Sequence, residues 1–126
     1  MNIKPIDQCQ VTVLVDNDLD ILSTAPKSVT GHIPNLLNAG AEEMAGSCLC
    51  CAHWGLSLVI KVQTEQSQKI LLFDSGPEGD TVERNGDRLG IDFGAINAAM
   101  CSHGNWDHTG GMELALMLIN KANGGQ

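Results

Sequence analysis

Basic side chains are scarce in this chain. Lys and Arg number 7 against 15 Asp and Glu, a formal net charge of −8, and no basic run occurs. That argues against nucleic acid or an anionic membrane as the partner, because both are bound through clustered cations. It does not choose a substrate, since an acidic surface can still surround a site for a phosphate or carboxylate. Long apolar runs are also missing: no stretch approaches the roughly 18 residues of a membrane span. Met1-Asn2-Ile3-Lys4-Pro5 lacks the apolar core of a secretory signal. The cytoplasm is therefore the expected location. The 5 cysteines are odd in number, which suits a reducing compartment better than a disulfide framework.

Three of those cysteines, Cys48, Cys50 and Cys51, form a Cys-x-Cys-Cys cluster with His53 just beyond. Two readings are open, a small metal or redox site and a loop that carries several thiols. The spacing favours the loop, because it is not the Cys-x2-Cys knuckle of a structural zinc site. Cys9 and Cys101 fall at strand ends and are expected to be small buried residues.

Hydropathy alternates over much of the chain. Residues 10–16 place Val11, Val13 and Val15 on one face, predicting a half-buried strand. Residues 56–62 predict a second strand and 69–74 a third, with Gln63–Gln68 as the hairpin loop between them. Asp80 is the expected N-cap of a helix over about 81–89, which Asn85-Gly86 should break or shorten. A short buried strand over 97–102 and a helix over Met112–Ala122 follow. Strands joined by crossover helices predict a layered α/β domain, and 126 residues suit one such domain. The exception is the segment from about 18 to 54, which has no clear periodicity and only a short helix near Leu36–Met44. A connection this long is either functional or mobile. A lid over a substrate and a surface excursion are both open readings. His32, isolated in it, is expected to be a solvated histidine.

The chemistry concentrates in Cys101-Ser102-His103-Gly104-Asn105-Trp106-Asp107-His108-Thr109-Gly110-Gly111. Imidazole nitrogen and carboxylate oxygen are the ligands of catalytic zinc-type sites that keep a position open for water. In an extended segment, 103, 105 and 107 would point to one side, and His108 would come from the turn that follows. Asp74, at a strand end in Phe73-Asp74-Ser75-Gly76, has two readings. One is a carboxylate that orients a metal-bound histidine through its second ring N–H. The other is a turn aspartate that bonds the backbone of Ser75-Gly76.

This spacing resembles the His-x-His-x-Asp-His signature of the metallo-β-lactamase superfamily, with Asn105 where the second histidine stands. The resemblance extends to Val11–Asn17, Gly55–Ile60, Leu72–Gly76 and Leu89–Asp92 leading into Ser102-His103-Gly104. Taken in order, these blocks are similar to a branch that contains the archaeal dihydropterin-ribofuranosylaminobenzene phosphate synthases. One departure is His53-Trp54-Gly55, where relatives often carry Glu-His-Gly.

The resemblance implies an α/β fold, specifically the N-terminal half of a four-layer αββα sandwich. Residues 1–126 would form a single partial domain with a long insertion at about 18–54. It implies a divalent metal, zinc with iron or manganese as alternatives, held by His103, Asp107 and His108 with Asn105 in a ligand position. Asp107 would be the catalytic residue and Asp74 would lie beneath the metal. The activity implied is metal-dependent hydrolysis, with activated water attacking an ester, amide or phosphate-type bond of an unknown small molecule. Against this, an amide oxygen is a poorer donor to a zinc-like ion than imidazole, and the later ligands of the family would lie beyond Gln126. The expected metal is therefore substoichiometric and this chain alone inactive. The alternative is a truncated or degenerate relative that acts as a binding or assembly module. A thiol module at Cys48–His53 is a third reading. A homo-oligomer or a missing C-terminal half is the expected partner.

Overall fold

The computed structural model describes residues 5–125. Met1–Lys4, read above for a secretory signal, and Gln126 lie outside the described residues. In chain order the elements are β1 (Gln8–Val15), α1 (His32–Asn38), β2 (Ser57–Thr64), β3 (Ser67–Phe73) and α2 (Gly79–Arg88). A 3-10 turn at Phe93–Ala95 then leads to β4 (Ala98–Met100), α3 (Trp106–Thr109) and α4 (Met112–Ala122). None of these helices is long and apolar enough to cross a membrane.

Four strands form one mixed sheet in the order β1-β2-β3-β4. β1, β2 and β3 pair antiparallel, and β4 joins β3 in parallel. Val, Ile and Thr residues dominate β1 and β2, and branched side chains pack well on a pleated surface. The β2–β3 hairpin closes at Thr64↔Ser67, tighter than the Gln63–Gln68 loop expected. Thr64 Oγ1 accepts the Ser67 N–H at 3.1 Å across the turn. Parallel pairing of β3 with β4 requires a crossover, and α2 supplies it.

α2 and α4 cover one face of the sheet. The core there comprises Leu14, Val15, Val59, Leu72, Val82, Ile96 and Ala115. The expectation that Val11, Val13 and Val15 share a buried face is corrected. Val11 and Val13 are half exposed, while Leu14 and Val15 are buried. The register of β1 against β2 shifts between Val13 and Val15, and such a bulge re-aims the side chains that follow it. Val11 and Val13 lie on the other face of the sheet. Their cross-strand partners there are Ile60 and Leu58, then Leu71 and Phe73, then Ala98 and Met100. No helix among the described residues covers this apolar surface.

α2 begins at Gly79 after Glu78, so Asp80 lies in its first turn and is not its N-cap. The helix also runs unbroken through Asn85-Gly86, contrary to expectation, because both residues have tertiary roles. Asn85 is buried; its amide donates to the carbonyls of Leu14 (2.8 Å) and Cys51 (2.9 Å), and its oxygen accepts from Cys51 N–H (2.9 Å). A side chain at Gly86 would collide with the Phe93 ring. α1 is shorter and earlier than the helix expected at Leu36–Met44, since Gly40 turns the chain at φ +99°. Arg84 donates to the carbonyls of Gly46 (2.7 Å) and Leu49 (3.2 Å), strapping part of the long connection onto α2.

Cys9 and Cys101 are exposed, contrary to expectation. β1 is an edge strand, and Cys101 follows β4 at the end of the sheet, so neither is covered. Cys50 is buried, and that burial pushes its thiol up to about 11. His32 is not freely solvated: its Nε2 is enclosed without a hydrogen-bond partner, and burial lowers its pKa.

Candidate metal centre

Asp74 organises this end of the sheet. It follows β3 and is fully buried, with φ at +56°, a region that Asp tolerates better than most side chains. Backbone bonds hold it there: its N–H donates to Met100 O (2.8 Å) and its carbonyl accepts from Ser57 Oγ (2.9 Å). The carboxylate faces the segment after β4. Oδ1 accepts the Ser102 N–H (2.6 Å), while Oδ2 accepts from Ser102 Oγ (2.7 Å) and from His108 Nδ1 (2.8 Å).

Burial alone would raise the Asp74 pKa. The Ser102 N–H, its hydroxyl and His108 outweigh that and hold it below the ordinary 3.8. Ser102 Oγ in turn lies 2.8 Å from His103 Nδ1. The rings of His103 and His108 are 4.2 Å apart between centroids, and His108 Nε2 lies 3.6 Å from Asp107 Oδ2. The carboxylate thus orients a histidine, while the turn reading is corrected: the N–H groups of Ser75 and Gly76 go to the carbonyls of His108 and Leu56, not to Asp74.

Two glycine positions allow the packing. A Cβ on Gly55, which has φ +89°, would overlap the Asp107 carbonyl. One on Gly111 would overlap the Ser75 carbonyl. The Gly-Gly exit of the motif thus lies directly on the Asp74-Ser75-Gly76 turn. Ser75 reinforces it, donating from N–H (2.8 Å) and hydroxyl (3.1 Å) to the His108 carbonyl.

No protein-family model matches the chain. Over 83 residues it is 35% identical to the 7,8-dihydropterin-6-methyl-4-(beta-D-ribofuranosyl)-aminobenzene-5'-phosphate synthase of Methanocaldococcus jannaschii. The similarity is distant and partial. It covers 64% of this chain and 28% of the synthase.

The local geometry of the motif differs from the extended segment expected. β4 ends at Met100, the chain bends through 102–104, and Asn105 caps α3. Residues 103, 105 and 107 therefore do not alternate along a strand, and Asp107 and His108 are both helical. The Asn105 carbonyl accepts from the N–H groups of His108 (3.0 Å) and Thr109 (3.1 Å). The Asn105 side chain makes no capping bond.

Among the described residues no three His, Cys, Asp or Glu side chains are grouped to hold an ion. His103 and His108 suit a metal as two nitrogen donors, but this chain alone does not complete a set. The Cys48–His53 cluster does not form one either. His53 Nε2 lies 3.3 Å from Glu78 Oε1. A groove of about 620 Å³ runs along β1 and the segment that follows it as far as Asp20, and none of His103, Asp107 or His108 lines it.

Sequence reasoning did not single out Ser102 or Ser57. A hydroxyl between a strand and the first motif histidine was the available signal for Ser102. Ser57 gave none, because its bond to the Asp74 carbonyl depends on β2–β3 pairing.

Proposed function

We propose that this chain is one half of a metallo-β-lactamase-type αββα sandwich, supplying part of a hydrolase-type site that is completed elsewhere. The observation that carries this reading is the Asp74–His108 bond of 2.8 Å at the end of β3. A buried carboxylate that fixes a histidine is the support metal-ligating histidines characteristically have. The partial similarity to the archaeal synthase supports the same branch. His103, Asp107 and His108 are the residues this chain would contribute, and Asp107 would be its catalytic carboxylate. In such sites a divalent metal, zinc with iron or manganese as alternatives, activates water. The donors present here do not close around an ion among the described residues, and the chain alone is expected to be inactive. The substrate would be a small molecule, with no role for nucleic acid or membrane.

The uncovered sheet face supports the half-sandwich. Val11, Val13 and Met100 are about half exposed on it, and contiguous apolar surface of this kind marks an interaction site. The rest of the sandwich, or a second copy of the chain, would cover that face.

A second reading has its own support. Asn105 stands at a ligand position of the motif and the donor set is incomplete, which fits a degenerate relative that binds or assembles without catalysis. Elemental analysis after gel filtration decides how far each reading goes. The purified chain is expected to retain well under two metal ions. Two tightly held ions on a monomer would overturn the incomplete-site reading.

A further inference from the structure

Asp74 serves His108 directly, but His103 lies beyond its reach and meets Ser102 instead. Ser102 Oγ has one proton and two neighbours, Asp74 Oδ2 at 2.7 Å and His103 Nδ1 at 2.8 Å. An ionised carboxylate can only accept. The hydroxyl proton therefore points to Asp74, and the oxygen lone pair is left for the imidazole. His103 must then carry its proton on Nδ1.

We infer that Ser102 is a positioning residue that relays the Asp74 carboxylate to His103, so that one buried anion sets the tautomer of both motif histidines. His108 donates Nδ1–H to Asp74 directly. His103 donates Nδ1–H to Ser102, which donates onward. Both rings are left with an unprotonated Nε2, the form needed by a metal ligand or a general base. A single carboxylate with four lone-pair sites suffices, because Ser102 also occupies Oδ1 through its backbone N–H at 2.6 Å. The double contact pins residue 102 by main chain and side chain together. The relay hydroxyl cannot turn away without losing the better bond, since a hydrogen bond to a charged acceptor is stronger than one to a neutral imidazole.

The inference builds on the reading of His103 as a nitrogen donor, but its test is made without metal. Long-range proton–nitrogen NMR on chelator-treated chain, at a pH where imidazole is neutral, reports the tautomer of each ring. In the wild type both His103 and His108 are expected as the Nδ1–H form. Ser102→Ala should move His103 toward Nε2–H while His108 stays unchanged, and Ser102→Thr should restore the wild-type pattern. His103 found as Nε2–H in the wild type would overturn the relay. So would a His103 unmoved by Ser102→Ala. Should the alanine variant fail to fold, the wild-type tautomer alone decides.

A zinc titration then separates this from the functional reading. If the chain binds zinc, Ser102→Ala should weaken it by on the order of 10-fold or more. A wild type that shows both Nδ1–H tautomers yet no zinc binding would leave the relay standing, whereas zinc binding by a wild type with His103 as Nε2–H would overturn the relay alone.

Discussion

Asp74→Asn isolates the charge of the buried anchor from everything else about it. The amide matches the carboxylate in size, and Asn also tolerates the positive φ of +56° at this position. The remaining oxygen can keep the Ser102 N–H, now at 2.6 Å. The new NH2 group faces Ser102 Oγ and His108 Nδ1, both of which donate to Asp74 Oδ2 in the wild type. Two donors cannot face a donor. Ser102 must rotate its hydroxyl toward His103, and His108 must move its proton to Nε2. Each charge-assisted bond contributes roughly 1.5–3 kcal/mol, and the rearrangement recovers part of that. A loss of about 2–4 kcal/mol is expected, a large share of the roughly 5–15 kcal/mol that holds a domain. Asp74→Ala removes every acceptor and should cost more. The effect has a pH signature. The folded-state pKa of Asp74 lies below 3.8, so its contribution is complete above that value and is lost as pH falls through the folded one. Urea unfolding followed by circular dichroism, from neutral pH downward, measures the gap between wild type and Asp74→Asn. A gap within about 0.5 kcal/mol at neutral pH, or one that keeps its size at acid pH, would refute the reasoning.

Asn105→His should raise zinc affinity at least tenfold, with little change in melting temperature because the asparagine side chain makes no cap bond; calorimetric titration checks this, and the gain should vanish with His103→Ala. Val13→Lys with Met100→Lys places two charges on the uncovered sheet face, so any self-association seen by light scattering in the wild type should fall to monomer. An unchanged mass would exclude that face as the interface. Gly55→Ala is expected to unfold the protein or lower its melting temperature sharply, because the new methyl meets the Asp107 carbonyl and φ is +89°. Cys50, with its thiol pushed up to about 11, should resist iodoacetamide at mildly alkaline pH while the exposed Cys9 and Cys101 are alkylated, as mass spectrometry would show.

β1, β2 and β3 were legible in the sequence because branched residues and the polar stretch at the hairpin mark them, whereas the strand expected to be buried over 97–102 is the exposed Ala98–Met100. The facing of β1 was not, since a bulge between Val13 and Val15 reverses an alternation that periodicity assumes constant. Asn85-Gly86 reads as a helix breaker only while its partners are unknown. Asn85 bonds Leu14, 71 residues away in sequence, and no local rule contains that contact. The same limit applied to the site. The types and spacing of His103, Asp107 and His108 marked the candidate site, and Asp74 could be suspected from its strand end. That the motif bends into α3, and that Ser102 joins Asp74 to His103, depends on two chain segments meeting. Spacing along one of them could not disclose it.

The bonds from Asp74 to Ser102 and His108 span 28 and 34 residues, and β3 reaches β4 only through the α2 crossover. The β2–β3 hairpin can therefore form from nearby residues while the two histidines remain unaligned. Loop closure must precede the contacts that reward it, and distant pairings of this kind form slowly. During that interval His103 and His108 are not held together, so the pair exists only once the parallel β3–β4 pairing has closed.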